Sequence, residues 1–130
     1  MKTFAEYTLR EELPASMFYL NNSVRDLLNR MIRWYICLKA GGPVDMGILD
    51  SRMEELLGED LFRLYRKTYP DVDCPRIWEA YEAVAALWRT AGLFISERCG
   101  FEYPDRTEQD MTAFIHCLKE KKQTDTSRKA

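Results

Sequence analysis

Between Pro75 and Gly100 the chain carries Ile77, Tyr81, Val84, Trp88, Ala91 and Ile95, which alternate steps of four and three over five intervals. That spacing is a helix-packing seam, an apolar stripe that must be buried against other helices. Asp73 or Cys74 stands where an N-cap belongs, Pro75 falls in the first turn, and Gly100 occupies the place of a left-handed terminator. The spacing predicts a helix from about Pro75 to Cys99.

The rest of the sequence repeats the pattern in shorter pieces. From Ser23 to Lys39 the residues Val24, Leu27, Leu28, Met31, Ile32, Tyr35 and Leu38 form a second stripe, with Ser23 as candidate N-cap and Gly41 as terminator. A third helix is expected from Thr107 to Lys121, carrying Met111, Phe114, Ile115 and Leu118. Shorter helices are expected from Thr3 to Glu11, Pro14 to Asn21, Gly47 to Leu57 and Asp60 to Thr68, divided by Pro14, Gly41-Gly42-Pro43, Gly58 and Pro70. No segment sustains the two-residue alternation of a strand. The expected fold is all-α: an antiparallel bundle of three long helices with shorter helices packed on one end. A single helical domain is expected over 1–121, followed by a disordered tail over 122–130, where only the terminal alanine is apolar.

Composition narrows the partners. Nineteen Lys and Arg against 21 Asp and Glu give a net charge of −2 over 130 residues, so neither nucleic acid nor an anionic membrane is attracted by overall charge. The cationic run Arg63-Leu64-Tyr65-Arg66-Lys67 alternates around a short helix and makes no sustained basic face. No apolar run approaches the length of a spanning helix, and Met1-Lys2-Thr3 leads to Glu6 rather than a signal-peptide core, so a cytoplasmic location is expected. Cys37, Cys74, Cys99 and Cys117 lie too far apart for a zinc knuckle or redox pair and read as free thiols.

Enzyme motifs are sparse. The sequence shows no glycine-rich phosphate loop and no zinc-binding His-Glu pair, and Asp71-Val72-Asp73 sits in the turn before a helix, where Asp caps rather than holds magnesium. His116, the single histidine, lies in an apolar stretch and reads as structural. A helical ribonuclease would need an Arg just ahead of that histidine, and the nearest on that side is Arg106. Tyr81, Trp88 and Phe114 fall on buried stripes, whereas Trp34 and Trp78 stand one position off them, where they would flank a cleft or pack at an interface.

At Arg10-Glu11-Glu12-Leu13-Pro14 and Leu28-Asn29-Arg30-Met31-Ile32-Arg33-Trp34 the chain resembles the carboxy-terminal domain of the aminoglycoside 6-adenylyltransferases, the streptomycin-modifying family. The likeness continues in order through Lys67-Thr68-Tyr69-Pro70, Ile77-Trp78-Glu79-Ala80, Leu87-Trp88-Arg89 and Gly100-Phe101-Glu102-Tyr103-Pro104. The chain departs from the family pattern at Glu6, at Ala15-Ser16-Met17 and at Gly47-Ile48, where the family tends to carry lysines. Those are lost candidate phosphate contacts.

The resemblance implies the substrate-side part of adenylyl transfer from ATP to an aminoglycoside hydroxyl, an antibiotic-resistance chemistry. ATP and magnesium are then implied for a nucleotidyltransferase domain that this chain lacks, with no cofactor and no catalytic residue expected in the chain itself. The helical part also begins after the family's Glu-Phe-Trp-Trp segment, so apolar surface around Phe4, Tyr7 and Leu9 is expected to be uncovered. The partner would be a nucleotidyltransferase domain or a second copy. Aminoglycosides are polycations, and the matched regions offer Glu6, Glu11, Glu12, Asp45, Trp34 and Trp78 as substrate-binding carboxylates and aromatics. The alternative is a non-catalytic helical interaction module that pairs with a separate nucleotidyltransferase or with itself. On that reading each of these carboxylates belongs to a solvated helix face.

Overall fold

The computed structural model describes residues 2–100 and residue 102. Among them every regular element is helical and none is a strand. The elements are α1 (Lys2–Leu9), α2 (Leu13–Tyr19), a π-turn (Leu20–Val24), α3 (Arg25–Ala40), a 3-10 turn (Ile48–Asp50), α4 (Met53–Leu57), α5 (Glu59–Arg66) and α6 (Cys74–Cys99). The helix expected over 107–121, with His116 and Cys117, and the tail over 122–130 lie outside the described residues.

The seam of α6 is the spine of the core. Ile77, Ala80, Tyr81, Val84, Leu87, Ala91 and Ile95 are buried. Trp88, expected in the stripe, is only half-buried, and Leu87 takes its place. A strict 4-3 repeat averages 3.5 residues against 3.6 per helical turn, so the buried face drifts around a straight helix as long as α6. Asp73, not Cys74, caps the helix: its Oδ1 accepts the backbone N–H of Arg76 at 2.8 Å. Gly100 ends α6 at φ 76, a left-handed conformation that glycine adopts at no steric cost.

The Ser23 cap is corrected. Tyr19, Leu20, Val24 and Arg25 all keep right-handed helical dihedrals, so α2, the π-turn and α3 form one uninterrupted rod from Leu13 to Ala40. Its buried positions Leu20, Val24, Leu28, Ile32 and Ile36 recur every four residues. In a regular α-helix such steps drift by about 40° each, and a wider π-turn takes part of that drift back. Leu27, expected in the buried stripe, is 50% exposed, while Ile36 joins the core. Gly41 closes the rod at φ 83 as expected.

The rod and α6 run in the same direction. At one end Thr8 of α1 bridges them, its hydroxyl bonded to Ser16 of α2 and its carbonyl accepting from the Cys74 thiol at 3.8 Å. At the other end Tyr35 of α3 meets Phe94 of α6 edge-on, ring centroids 4.9 Å apart. An antiparallel pairing of these two helices is therefore not what the chain builds. The loop over 41–52 with α4 and α5 returns the chain to the start, so α6 leaves alongside the rod. The helix expected from Gly47 to Leu57 is broken because Leu49 and Asp50 take positive φ values of 55 and 62, left-handed backbone that a right-handed helix does not contain, so α4 begins only at Met53.

The amino-terminal segment is also better covered than its sequence suggests. Phe4 is 1% exposed against Tyr81, with ring centroids 6.0 Å apart, and Tyr7 stacks on Tyr19 at 5.2 Å. One large apolar side chain does stay exposed beside it, Phe18 at 62%, edge-on to Tyr19, and others, among them Leu27, Trp34, Ile48 and Leu49, are exposed elsewhere. No helix among the described residues is long and apolar enough to cross a membrane.

Candidate functional site

Arg25 is the first residue after the π-turn, and its side chain goes inward, leaving it 7% exposed. Nη1 donates to Thr68 Oγ1, and Nη2 donates to the Thr68 carbonyl at 2.6 Å. The guanidinium carbon lies 3.7 Å from the centroid of the Tyr69 ring and 5.4 Å from that of Tyr65. Among the described residues no carboxylate pairs with this cation, and its buried Nε has no hydrogen-bond partner. Two aromatic faces and the Thr68 oxygens stand in for a counter-ion.

The sequence around Thr68 builds this arrangement. After α5 the chain tightens into successive turns, with Thr68 N–H donating to the Tyr65 carbonyl at 3.0 Å and its hydroxyl to the same carbonyl at 2.6 Å. Thr68 is thereby fully buried, and Tyr69 is left 56% exposed. Tyr65 donates its hydroxyl proton to Asn29 Oδ1 at 2.8 Å and accepts from Tyr69 at 3.1 Å. Burial first, and then the Tyr69 hydrogen bond, push the Tyr65 phenol up from 10.0 to about 12, against the opposing charge of Arg25.

Tyr69 also lines an open groove of about 640 Å³ between the end of α5 and the first turns of α6. Its charged walls are Lys67 and Asp71 on one side and Arg76, Glu79 and Glu82 on the other. Arg76 and Glu79 pair at 3.3 Å, an exposed contact of little energetic weight. Among the described residues Asp71 and Glu82 enter no ion pair, so the groove presents two uncommitted carboxylates beside an aromatic ring.

A second groove, of about 570 Å³, lies between α3 and the loop over 41–52 and is lined by Asn29, Arg33, Asp45 and Asp50, among others. Arg33 holds both Asp50 carboxylate oxygens at 3.1 Å. Asp45 is committed to its own turn, with Oδ1 accepting from Gly47 N–H at 2.9 Å. Among the described residues no group of three metal-ligating side chains could hold a metal ion.

The six residues nominated from sequence divide between two regions. Glu6 lies on α1, Glu11 and Glu12 on the α1–α2 turn, and Trp78 on α6 beside Tyr81, ring centroids 5.9 Å apart, which ties it to the α1 end. Trp34, 56% exposed on α3, and Asp45 belong to the other. Of the six only Asp45 lines either groove. Asp71 was missed because it read as part of a helix-capping turn, Tyr69 and Glu79 stood only within the matched family segments, and Glu82 carried no motif at all. The signal that could have found them is the concentration of charged residues over 66–82, straddling one predicted break at Pro70.

The groove at Tyr69 thus carries three carboxylates, Asp71, Glu79 and Glu82, against two cations, Lys67 and Arg76. The sequence model of the streptomycin adenylyltransferase family matches residues 1–118. The chain belongs to that family. It is 30% identical over 95 residues to an aminoglycoside 6-adenylyltransferase of Campylobacter jejuni, covering 73% of this chain and 33% of the relative. It is 28% identical over 110 residues to an aminoglycoside 6-adenylyltransferase of Bacillus subtilis (strain 168), covering 83% of this chain and 39% of the relative. The chain thus spans under two-fifths of the length of these curated relatives. No solved structure gives a significant match.

Proposed function

We propose that this chain is the substrate-side helical unit of an aminoglycoside adenylyltransferase, with the groove beside Tyr69 receiving the polycationic drug. Asp71 and Glu82 carry the reading, since among the described residues they enter no ion pair and share one groove with an aromatic ring. ATP and magnesium would be held by a nucleotidyltransferase domain, which phosphoryl-type transfer requires to align the leaving group and the hydroxyl nucleophile. The chain's own part is to bind and orient the aminoglycoside, and alone it should not adenylylate streptomycin. Intracellular drug resistance would follow from that role.

Trp78 lies one turn before Glu82 on α6 and serves as a reporter. Titration with streptomycin at low salt should change its fluorescence, with an affinity on the order of millimolar for half a site. The combined variant Asp71→Asn, Glu82→Gln should weaken binding several-fold. Indifference of binding to both salt and that variant would reject the groove.

One observation favours the second reading, a non-catalytic interaction module. Ile48 and Leu49 are 85% and 96% exposed on a loop braced by Arg33 and Arg52, a presentation that suits docking to a separate nucleotidyltransferase or to a second copy. A concentration-dependent mass in light scattering, abolished by Leu49→Asp, would support that reading.

A further inference from the structure

The face of Tyr69 that the groove can use is the outer one. Arg25 is 7% exposed and lies 3.7 Å from the ring centroid, so the inner face is covered, and the exposure of Tyr69 comes from its other side. A ring attracts a cation through its negative face. Here one cation already occupies the ring. A ligand ammonium or guanidinium at the same height on the outer face would stand about 7 Å from the Arg25 charge, and at that distance repulsion between unit charges outweighs what an exposed ring face supplies. Among the described residues no carboxylate forms an ion pair with Arg25.

Resting on the groove assigned above, we propose that Arg25 is a specificity-determining residue: by filling the inner face of Tyr69 it bars ligand cations from the outer face. Ligand cations are then directed to Asp71 and Glu82, and Tyr69 receives only uncharged ring surface, through burial of apolar area. Arg25 acts through Tyr69 and touches no ligand. Aminoglycosides carry both kinds of surface, so this division fixes which way round the drug can lie.

The test uses the full chain, with the Tyr69 ring resonances assigned by comparison with Tyr69→Phe and methylguanidinium chloride as the probe against sodium chloride at equal ionic strength. In the background Asp71→Asn, Glu82→Gln, which removes the carboxylates that would hold the probe near the ring, methylguanidinium should move the Tyr69 resonances no more than sodium does while Arg25 is intact. Arg25→Met keeps much of the apolar stem and removes the charge, and should give a saturable shift with affinity raised about three-fold or more. Arg25→Lys restores a cation and should restore silence, which a merely structural role would not predict. A Tyr69 response to methylguanidinium in that background with Arg25 intact, or silence when Arg25→Met is added to it and the chain is folded, overturns the proposal.

Should Arg25→Met not fold, streptomycin binding to Tyr69→Leu decides. Leucine keeps apolar area without a π face, so affinity should stay within about two-fold. A loss as large as that of Asp71→Asn would overturn the proposal. Failure of streptomycin to bind the unaltered chain would reject the aminoglycoside reading, while the methylguanidinium comparison still judges the role of Arg25.

Discussion

The Arg25 guanidinium is stacked 3.7 Å from the Tyr69 ring centroid while its two terminal nitrogens donate to the hydroxyl and carbonyl of Thr68. One buried cation thus fastens the start of α3 to the turn that follows α5. Removing a charged residue's partner inside a protein costs more than the bond is worth, because the remaining group stays desolvated.

Thr68→Val tests that fastening. It keeps the shape of the side chain and removes the oxygen that accepts from Arg25 and donates to the Tyr65 carbonyl. The expected loss is about 2 kcal/mol, read as a lower urea midpoint with unchanged slope.

Tyr65 makes stability fall at high pH. Its folded value is raised from 10.0 to about 12, so its contribution is complete below pH 10 and is lost as pH rises through about 12. The unfolded chain ionises first in that window, which removes roughly 2–3 kcal/mol across it. Tyr65→Phe should cost about 1 kcal/mol at neutral pH, for the hydroxyl bonded to Asn29, and should flatten the decline between pH 10 and 12. Chemical denaturation at a series of pH values reads both effects.

Asp73→Ala should lower stability by about 1 kcal/mol through loss of the cap on the Arg76 N–H. Asp73→Asn keeps an acceptor oxygen and should recover most of that loss, since Asn caps as well as Asp. Thermal unfolding of the pair separates capping from charge.

The loop over 41–52 predicts opposite signs at neighbouring positions. Gly47 has φ 77, and a side chain there would run into Ser51 Oγ, so Gly47→Ala should destabilise by about 1–2 kcal/mol. Leu49, at φ 55 and almost fully exposed, holds a conformation that Asn tolerates better. Leu49→Asn should therefore be neutral or stabilising by roughly 0.5 kcal/mol. A loss of stability at Leu49→Asn would mean that its side chain is covered in solution.

Local chemistry made α6 legible: Asp73, Pro75, the apolar steps from Ile77 to Ile95 and Gly100 are all short-range signals, and together they bound a helix and choose its buried face. The short helices starting near Thr3, Pro14 and Asp60 were readable for the same reason, though not the continuation past Asn21, as was the absence of strands among the described residues. Family membership was readable too, because an ordered series of short matches needs no structure. Ser23 misled because a serine before an apolar stripe looks like a cap, whereas the burial of Leu20 and Val24 on both sides of it carries the helix straight through. Only the tertiary structure decided that the rod and α6 run the same way, since direction depends on where the loop over 41–52 and α5 return the chain. It alone placed Arg25 under Tyr69, 44 positions away in the sequence and next to nothing that marks it. Helical period and caps are properties of neighbouring residues. The groove and its buried cation arise where α5, its following turn and α6 meet α3, and no periodicity encodes that meeting.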